Sequence, residues 1–241
     1  MRRWLLSFAI VNAVSVVVGF VATPSASAQQ SLNLYLGGFI PASADTRGTT
    51  TGGLSDDVLV RNQSFLAFRL DRFDAPTVGG EWLVALGDKF DAGLGIGFYQ
   101  RTVPTVDNAF VNDDGSEIRA NLRLRIVPFT ATIRVLPLGH HAPIQPYVGA
   151  GVGVFAWRYS ETGEFVDSTD NSTYDGNFVG SGTKTGPVVL GGVRAPIGST
   201  AVGFEVRYQS AKGSLPAGQG FAGSTIDLGG MNYLFTFNIR F

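Results

Sequence analysis

The sequence predicts an all-β fold: an eight-stranded antiparallel transmembrane β-barrel with long extracellular loops and short periplasmic turns. Three observations point to it. After residue 28, eight segments place apolar side chains at every second position, which separates two sets of residues onto opposite faces of a strand. Long and short connectors alternate between these segments. Finally, the chain is 44% hydrophobic, yet no run of about 18 apolar residues follows residue 28.

The composition excludes several other classes of protein. A formal net charge of −1 provides no basic surface for nucleic acid. The absence of cysteine excludes a disulfide scaffold, an iron–sulfur cluster and a cysteine zinc site. The hydrophobic content is too high for a disordered chain. We therefore expect no cofactor, no metal and no nucleic-acid partner.

Residues 1–28 have the pattern of a secretory signal. Two arginines precede a long apolar stretch, and residues 26–28 supply the small side chains of a cleavage site. We expect cleavage before Gln29, which leaves residues 29–241 as the outer-membrane barrel. The alternative is a membrane helix that stays attached.

The final segment shows the alternation most clearly. Bulky apolar residues share one face, and mainly polar residues lie between them. The apolar positions are Met231, Tyr233, Phe235, Phe237, Ile239 and Phe241. A strand with one aromatic face and one polar face is typical of a barrel wall between lipid and a polar interior.

The same alternation predicts seven further strands, most of which extend to the roughly 9–11 residues that a tilted membrane strand needs. They are centred within residues 32–37, 81–86, 92–99, 129–135, 148–154, 186–195 and 202–209. In one of them the apolar positions change from even to odd numbers at Pro128. We expect a β-bulge there, with residues 118–127 rising above the membrane.

The connectors predict which end of the barrel is which. The short connectors, residues 88–90 and 196–200, and the medium one, residues 137–145, are expected on the periplasmic side. The long extracellular ones are residues 41–79, 103–117, 160–185 and 210–226. Residues 58–73 are more apolar than an ordinary loop. They could form a short helix, pack on the rim, or add a hairpin that would give ten strands.

Charged side chains of both signs fall on the predicted inward face. Because a buried charge without a partner is costly, we expect them to form a structural salt-bridge network, and the alternative is a gated polar path. The residues are Glu81, Asp91, Arg134, Arg194, Glu205, Arg207 and Arg240. Six glycines share the same face and relieve crowding in a narrow interior: Gly93, Gly95, Gly97, Gly149, Gly151 and Gly153.

The two histidines are the natural candidates for a near-neutral general base. His140 and His141 are adjacent and fall in the predicted periplasmic connector between two prolines. We expect them to be solvated turn residues, and we expect no catalytic residue in this chain.

Two segments carry a resemblance to a known family. Residues 146–153 (PYVGAGVG) and 235–241 (FTFNIRF) resemble the bacterial outer-membrane β-barrel domain family, of the OmpA-like and OmpW-like porin type. Residues 157–165 and 226–230 resemble a poorly characterised branch of it. The resemblance implies a monomer in the outer membrane of a Gram-negative cell, surrounded by membrane lipid and lipopolysaccharide.

The resemblance also implies roles. The terminal strand is similar to the signal read by the barrel assembly machinery, carried here by Tyr233, Phe235, Phe237, Ile239 and Phe241. The expected function is a structural or surface-interaction role without catalysis. The alternative is an OmpW-like narrow channel or conduit for small hydrophobic molecules, and a barrel hydrolase is the least favoured.

Overall fold

Eight strands close into an antiparallel barrel. The computed structural model describes residues 29–42, 56–167 and 169–241, so the predicted signal over residues 1–28 lies outside the described residues. The barrel strands are β1 (Gln30–Pro41), β2 (Ala75–Ala85), β3 (Phe90–Val111), β4 (Glu117–Val135), β5 (Gln145–Val166), β6 (Thr173–Ile197), β7 (Thr200–Gln209) and β10 (Gly230–Arg240). Their order around the barrel is β1-β10-β7-β6-β5-β4-β3-β2. The predicted eight-stranded antiparallel barrel is confirmed.

The first and last strands close the ring. Leu34 of β1 pairs with Phe237 of β10, and the two strands keep register over their whole length. Closure removes the free edges of the sheet, so the strands satisfy their backbone hydrogen bonds within the wall. In the part of the chain that the structure describes, no helix has the length and apolar character needed to cross a membrane.

The barrel has a tall wall and a short wall. Strands β3 to β6 contain 22, 19, 22 and 25 residues. The other four contain only 10 to 12. At about 3.3 Å per residue, β5 is roughly 70 Å long, about twice the length of a membrane-spanning strand.

Two of the predicted long loops are mostly strand in the structure and form part of the tall wall. Within residues 103–117, β3 continues to Val111 and β4 begins at Glu117; within residues 160–185, β5 continues to Val166 and β6 begins at Thr173. These segments are strand because neighbouring strands keep pairing beyond the membrane, where a loop would leave their backbone groups to water.

Strand β4 shows how the wall changes along its length. Even-numbered residues face inward throughout: Ile118 to Ile126 are buried at its upper end, and so are Thr130, Thr132 and Arg134 at its lower end. Pro128 pairs with Phe155 in unbroken register. The predicted bulge at Pro128 is therefore wrong. The apolar residues change face because the surroundings change from lipid to water, while the strand itself continues without interruption.

This change divides the molecule into two parts. We call the part from the Phe129–Val154 pair downward the lower barrel, and the part from the Arg125–Arg158 pair upward the upper barrel. The lower barrel exposes large apolar side chains on its outside, such as Ile133 and Phe235, the latter 72% exposed. It has the apolar exterior of a membrane-spanning wall.

The interior of the upper barrel is an apolar core closed by the connectors. Residues 58–73 form the helix α1 (Val58–Asn62) and a 3₁₀ turn (Leu70–Phe73). Val58, Leu59, Leu70 and Phe73 pack inside the tall wall against Leu122, Phe155 and Tyr159, among others. Of the three alternatives for this segment, the structure shows the short helix, inside the barrel.

A second connector completes this cover. The short strands β8 (Lys212–Ser214) and β9 (Thr225–Asp227) pair with each other in a separate sheet and add no strand to the barrel. Gly213 permits the closest approach, because a Cβ atom there would lie 2.7 Å from the Trp157 ring. The Asp57 carboxylate caps α1 by accepting from the Leu59 N–H and also accepts from the Asp227 N–H, which ties the two connectors together.

Candidate functional site

A layer of four charged side chains fills the lumen of the lower barrel. Arg134 bridges two carboxylates, pairing with Glu81 and lying 3.0 Å from Glu205. Arg207 bridges the same two, at 3.3 Å from Glu81 and 2.7 Å from Glu205. All four side chains are at most 4% exposed. The layer has two positive and two negative charges, so it is neutral as a unit.

Neighbouring side chains complete this charge layer. Thr132 donates a hydrogen bond to Glu81 at 2.9 Å, and Tyr147 donates to Glu205 at 3.0 Å. The Arg134 guanidinium lies 5.0 Å from the centre of the Tyr147 ring, and the Arg207 guanidinium 5.1 Å from that of Tyr35. Such contacts offset the cost of removing the charges from water.

The charge layer reaches across the whole barrel. Its four members come from β2, β4 and β7, and the neighbouring tyrosines come from β1 and β5, so opposite sides of the wall are joined through the lumen. Gly93 provides the space, because a Cβ atom there would lie 2.5 Å from the Glu81 carboxylate. Four more of the six predicted inward glycines, Gly95, Gly97, Gly149 and Gly153, would also bring a Cβ atom within 3.0 Å of a neighbouring side chain, whereas Gly151 lies against the backbone of β4.

A second polar group closes the lower end. Arg194 lies 3.0 Å from Asp91 and donates a hydrogen bond to Gln145 at 2.8 Å. Arg240 is only half-buried and reaches Gln145 at 3.4 Å, so it joins this lower group through a neutral side chain. The seven predicted charges are therefore placed in two groups at different levels, with Arg240 at the edge of the second.

The structure corrects the expectation for His140. Its side chain is 10% exposed, and both ring nitrogens are engaged: Nε2 lies 2.7 Å from the Asp91 carboxylate and Nδ1 2.5 Å from the Asp88 carbonyl oxygen. It is part of the lower closure because the connector folds back under the barrel. His141 is 94% exposed and is the solvated turn residue expected, beside Asp88 at 2.9 Å. Its hydrogen bond lowers the pKa of the Asp88 carboxyl.

A third closure lies in the upper barrel. The apolar core surrounds a small polar cluster in which Asn62 donates to Glu161 at 2.7 Å and Tyr159 donates to Glu161 at 2.9 Å. Burial raises the pKa of the Glu161 carboxyl, against the lowering effect of these two hydrogen bonds. Burial also raises the pKa of the Tyr159 hydroxyl. The cluster fixes α1 to the inside of the tall wall.

Sequence reasoning missed several of these partners. Tyr35, Thr132 and Tyr147 have the inward phase of their strands, so the alternation contains a signal for them. Asn62 and Glu161 are 99 residues apart and meet only because α1 folds into the barrel. No spacing pattern indicates that contact.

The lumen offers no group of metal ligands. Within the described ranges, no cluster of three or more His, Cys, Asp and Glu side chains could hold a metal ion. The acidic residues of the β5–β6 hairpin are engaged locally: Asp167 and Asp170 accept hydrogen bonds from the backbone two residues further on, which caps the turn.

Comparison with known proteins finds similar solved structures but no similar sequence. No protein-family model matches the chain, and no curated protein matches its sequence. The solved structures that it resembles are small bacterial outer-membrane β-barrel proteins. Neisserial surface protein A is 12% identical with a TM-score of 0.47 over 90% of this chain and 99% of that one.

Two further structures are similar. Ail, the attachment invasion locus protein of Yersinia pestis, in complex with the heparin analogue sucrose octasulfate, is 11% identical with a TM-score of 0.41, over 90% of this chain and all of that one. The N-terminal β-barrel domain of Pseudomonas aeruginosa OprF is 12% identical with a TM-score of 0.37, over 89% and 100%. These similarities concern architecture and not function.

Proposed function

We propose that the protein is a monomeric outer-membrane barrel with a closed lumen, which has a structural or surface-interaction role and no catalytic activity. The observation that carries this proposal is the charge layer of Glu81, Arg134, Glu205 and Arg207. It places buried, mutually paired side chains across the lumen of the lower barrel.

The closed lumen favours this role over the alternative of a conduit. A solute on the barrel axis would have to separate buried ion pairs, and a buried charge left without its partner is costly. It would then meet the apolar core of the upper barrel and the polar closure at Asp91 and Arg194. Three successive barriers argue against passive flow.

The tall wall supports a role at the cell surface. Strands β3 to β6 continue well beyond the apolar belt, and their outward side chains there are mainly polar, among them Thr102, Asn121 and Ser160. A rigid sheet held above the membrane by a packed core gives a stable surface for contact with other molecules. The lumen residues have no role in such contact except to keep the wall in shape.

Assembly through the terminal strand is part of the proposal. The five residues Tyr233, Phe235, Phe237, Ile239 and Phe241 all point outward, toward lipid, and are at least 37% exposed. We expect this aromatic face to engage the assembly machinery before the barrel closes on β1. Substituting Phe241 by Ser should lower the amount of folded protein in the outer membrane; an unchanged amount of folded protein would contradict the assembly role.

The test of the closed lumen is electrical. The purified chain is first folded in detergent, and a difference in gel migration with and without heating verifies that it has folded. The folded chain is then inserted into planar bilayers. We expect no steady conductance, with an open porin in the same bilayers as the positive control. Steady single-channel steps that scale with salt concentration would contradict the closed lumen and favour the conduit.

A further inference from the structure

The outer face of the tall wall carries three arginines directly above the apolar belt. Arg123 and Arg125 lie on β4 and Arg158 on β5, and all three are exposed. Together with Gln100, Thr102 and Ser160 they line a groove of about 680 Å³ on the outside of the upper barrel. The groove therefore opens to the outside of the barrel and not to its lumen.

Among the residues that the structure describes, these arginines have no acidic partner. Arg123 donates to the neutral Gln100 side chain at 2.9 Å. No carboxylate of the described residues lies within ion-pair distance of Arg123, Arg125 or Arg158, whereas Arg134, Arg194 and Arg207 in the lumen all have one. Going up the same face of β5, the first acidic residue is Glu164, six residues or about 20 Å from Arg158. That distance exceeds the screening length of about 8 Å at physiological salt.

Two of the arginines directly oppose each other. Arg125 and Arg158 are register partners on β4 and β5. Like charges directly opposite on neighbouring strands repel and destabilise the sheet. A bound anion would turn this repulsion into attraction, since guanidinium groups bind phosphate oxygens through paired, charge-assisted hydrogen bonds.

An apolar groove lies on the same wall below the arginines. It has a volume of about 590 Å³, and among its lining residues are Trp82, Leu94, Ile96, Phe129 and Val154. Phe129 and Val154 are register partners, four residues below Arg125 and Arg158 on their strands. At about 3.3 Å per residue the two grooves are roughly 13 Å apart along the wall. A molecule with an anionic head and apolar chains could span both.

We propose that this face binds a membrane lipid whose headgroup carries more than one phosphate. Arg123, Arg125 and Arg158 hold the phosphates, and acyl chains lie along the apolar groove of the lower barrel. This inference rests on the proposed membrane location, because only a barrel that spans the bilayer at this height places the arginines at the headgroups. The lipid would fix the barrel's height and orientation in its leaflet.

The test measures lipid retention by the full chain folded in detergent micelles, using native mass spectrometry. The probes are bisphosphorylated lipid A, the same lipid without its phosphates, phosphatidylglycerol and inorganic pyrophosphate. For the unmodified chain we expect about tenfold or greater preference for the bisphosphorylated lipid over the dephosphorylated one. Pyrophosphate at equal concentration should not compete, because it lacks the acyl chains.

The variant Arg125→Gln/Arg158→Gln should lose this preference. Its control is Arg69→Gln/Arg119→Gln, which removes the same charge from two exposed arginines that pair with Asp71 and Glu117 at 2.5 and 3.2 Å. The control should keep the preference. Without lipid, the first variant should unfold at the same or a higher urea concentration than the unmodified chain, because it removes a like-charge pair. Arg158→Gln alone provides a milder variant with a partial loss.

Three results would overturn the site: no preference for phosphate in the unmodified chain, equal preference in the double variant, or equal retention of phosphatidylglycerol. Competition by pyrophosphate would assign the arginines to a free anion instead. Failure of the proposed membrane location is recognised separately, because the chain would then fold and remain soluble without detergent.

Discussion

The lower and upper barrel share strands β3 to β6 but have opposite polarity. In the lower barrel, apolar side chains such as Ile133 face outward and charged ones such as Arg134 face inward; in the upper barrel, Leu122 faces inward and Arg123 outward. The register across β4 and β5 is continuous through the change. The strands therefore keep the same pairing and the same inward and outward positions in both parts. The medium outside the wall, lipid or water, determines which face is apolar.

The two interiors are stabilised by different forces. The lower interior depends on ion pairs and hydrogen bonds that are strong because the surrounding wall excludes water, and that become costly when one partner is lost. The upper interior depends on close packing of side chains such as Phe73, Phe155 and Tyr159, all fully buried. Substitutions should therefore act through an uncompensated charge below and through a cavity above.

The largest effect is expected from the charge layer. Arg134→Met leaves Glu81 and Glu205 with only Arg207, and we expect it to lower the free energy of unfolding by about 3–5 kcal/mol. The double variant Arg134→Met/Glu81→Gln removes one charge of each sign and should recover most of that loss. Urea unfolding in micelles, followed by heat-dependent gel migration, measures both. A single variant within about 0.5 kcal/mol of the unmodified chain would exclude a stabilising layer.

A comparable effect is expected from the packed core of the upper barrel. Phe73→Ala should lower the free energy of unfolding of the upper barrel by about 3–5 kcal/mol, because its ring is fully buried and the site cannot collapse completely. Phe65→Ala is the matched control: this phenylalanine is 57% exposed in the same connector and should change stability by less than about 0.5 kcal/mol. Hydrogen exchange of α1 amides reports the loss locally. Equal protection in both variants would argue against a packed cover.

The outer face gives a smaller effect that differs between the two halves. Ile133→Lys places a charge against lipid and should cost about 2–4 kcal/mol. Asn121→Glu also adds a charge on the same face of β4, but above the membrane and beside the exposed arginines, and it should cost less than about 0.5 kcal/mol. Unfolding in lipid vesicles compares them. Equal costs at the two positions would mean that the wall does not cross from lipid into water between them.

The smallest effect depends on pH. Because burial raises the pKa of Glu161 above its value in the unfolded chain, the folded state binds more protons than the unfolded state as pH rises through that window. Stability should therefore be highest at acidic pH and fall with rising pH. Glu161→Gln should reduce this decline, and the part that remains comes from Asp57, whose carboxyl pKa burial also raises. The exposed control Glu117→Gln should leave the decline unchanged. Unfolding midpoints between pH 4 and pH 8 test the sign, and an undiminished decline in Glu161→Gln would assign the effect to other groups.

The sequence was sufficient for the fold and for part of the site. Alternation predicted the eight barrel strands, because the period of two directly records which residues share a face. It could not show that the apolar face changes sides at Pro128, so a bulge was predicted where the register is continuous. The partners of Glu81 could be inferred only as charges on one face. Contacts such as His140 with Asp91, 49 residues apart, depend on how a connector folds back, and no local pattern records that.

The account depends most on the boundary between the two halves of the wall. Because the natural chain has no cysteine, single cysteines at outward positions of β4 can map it directly: Asn121→Cys, Arg125→Cys, Ala131→Cys and Ile133→Cys, each folded into lipid vesicles and treated with a membrane-impermeant maleimide. We predict rapid labelling at 121 and 125 and protection at 131 and 133. Equal labelling at all four positions would contradict a wall that passes from lipid into water between Phe129 and Arg125.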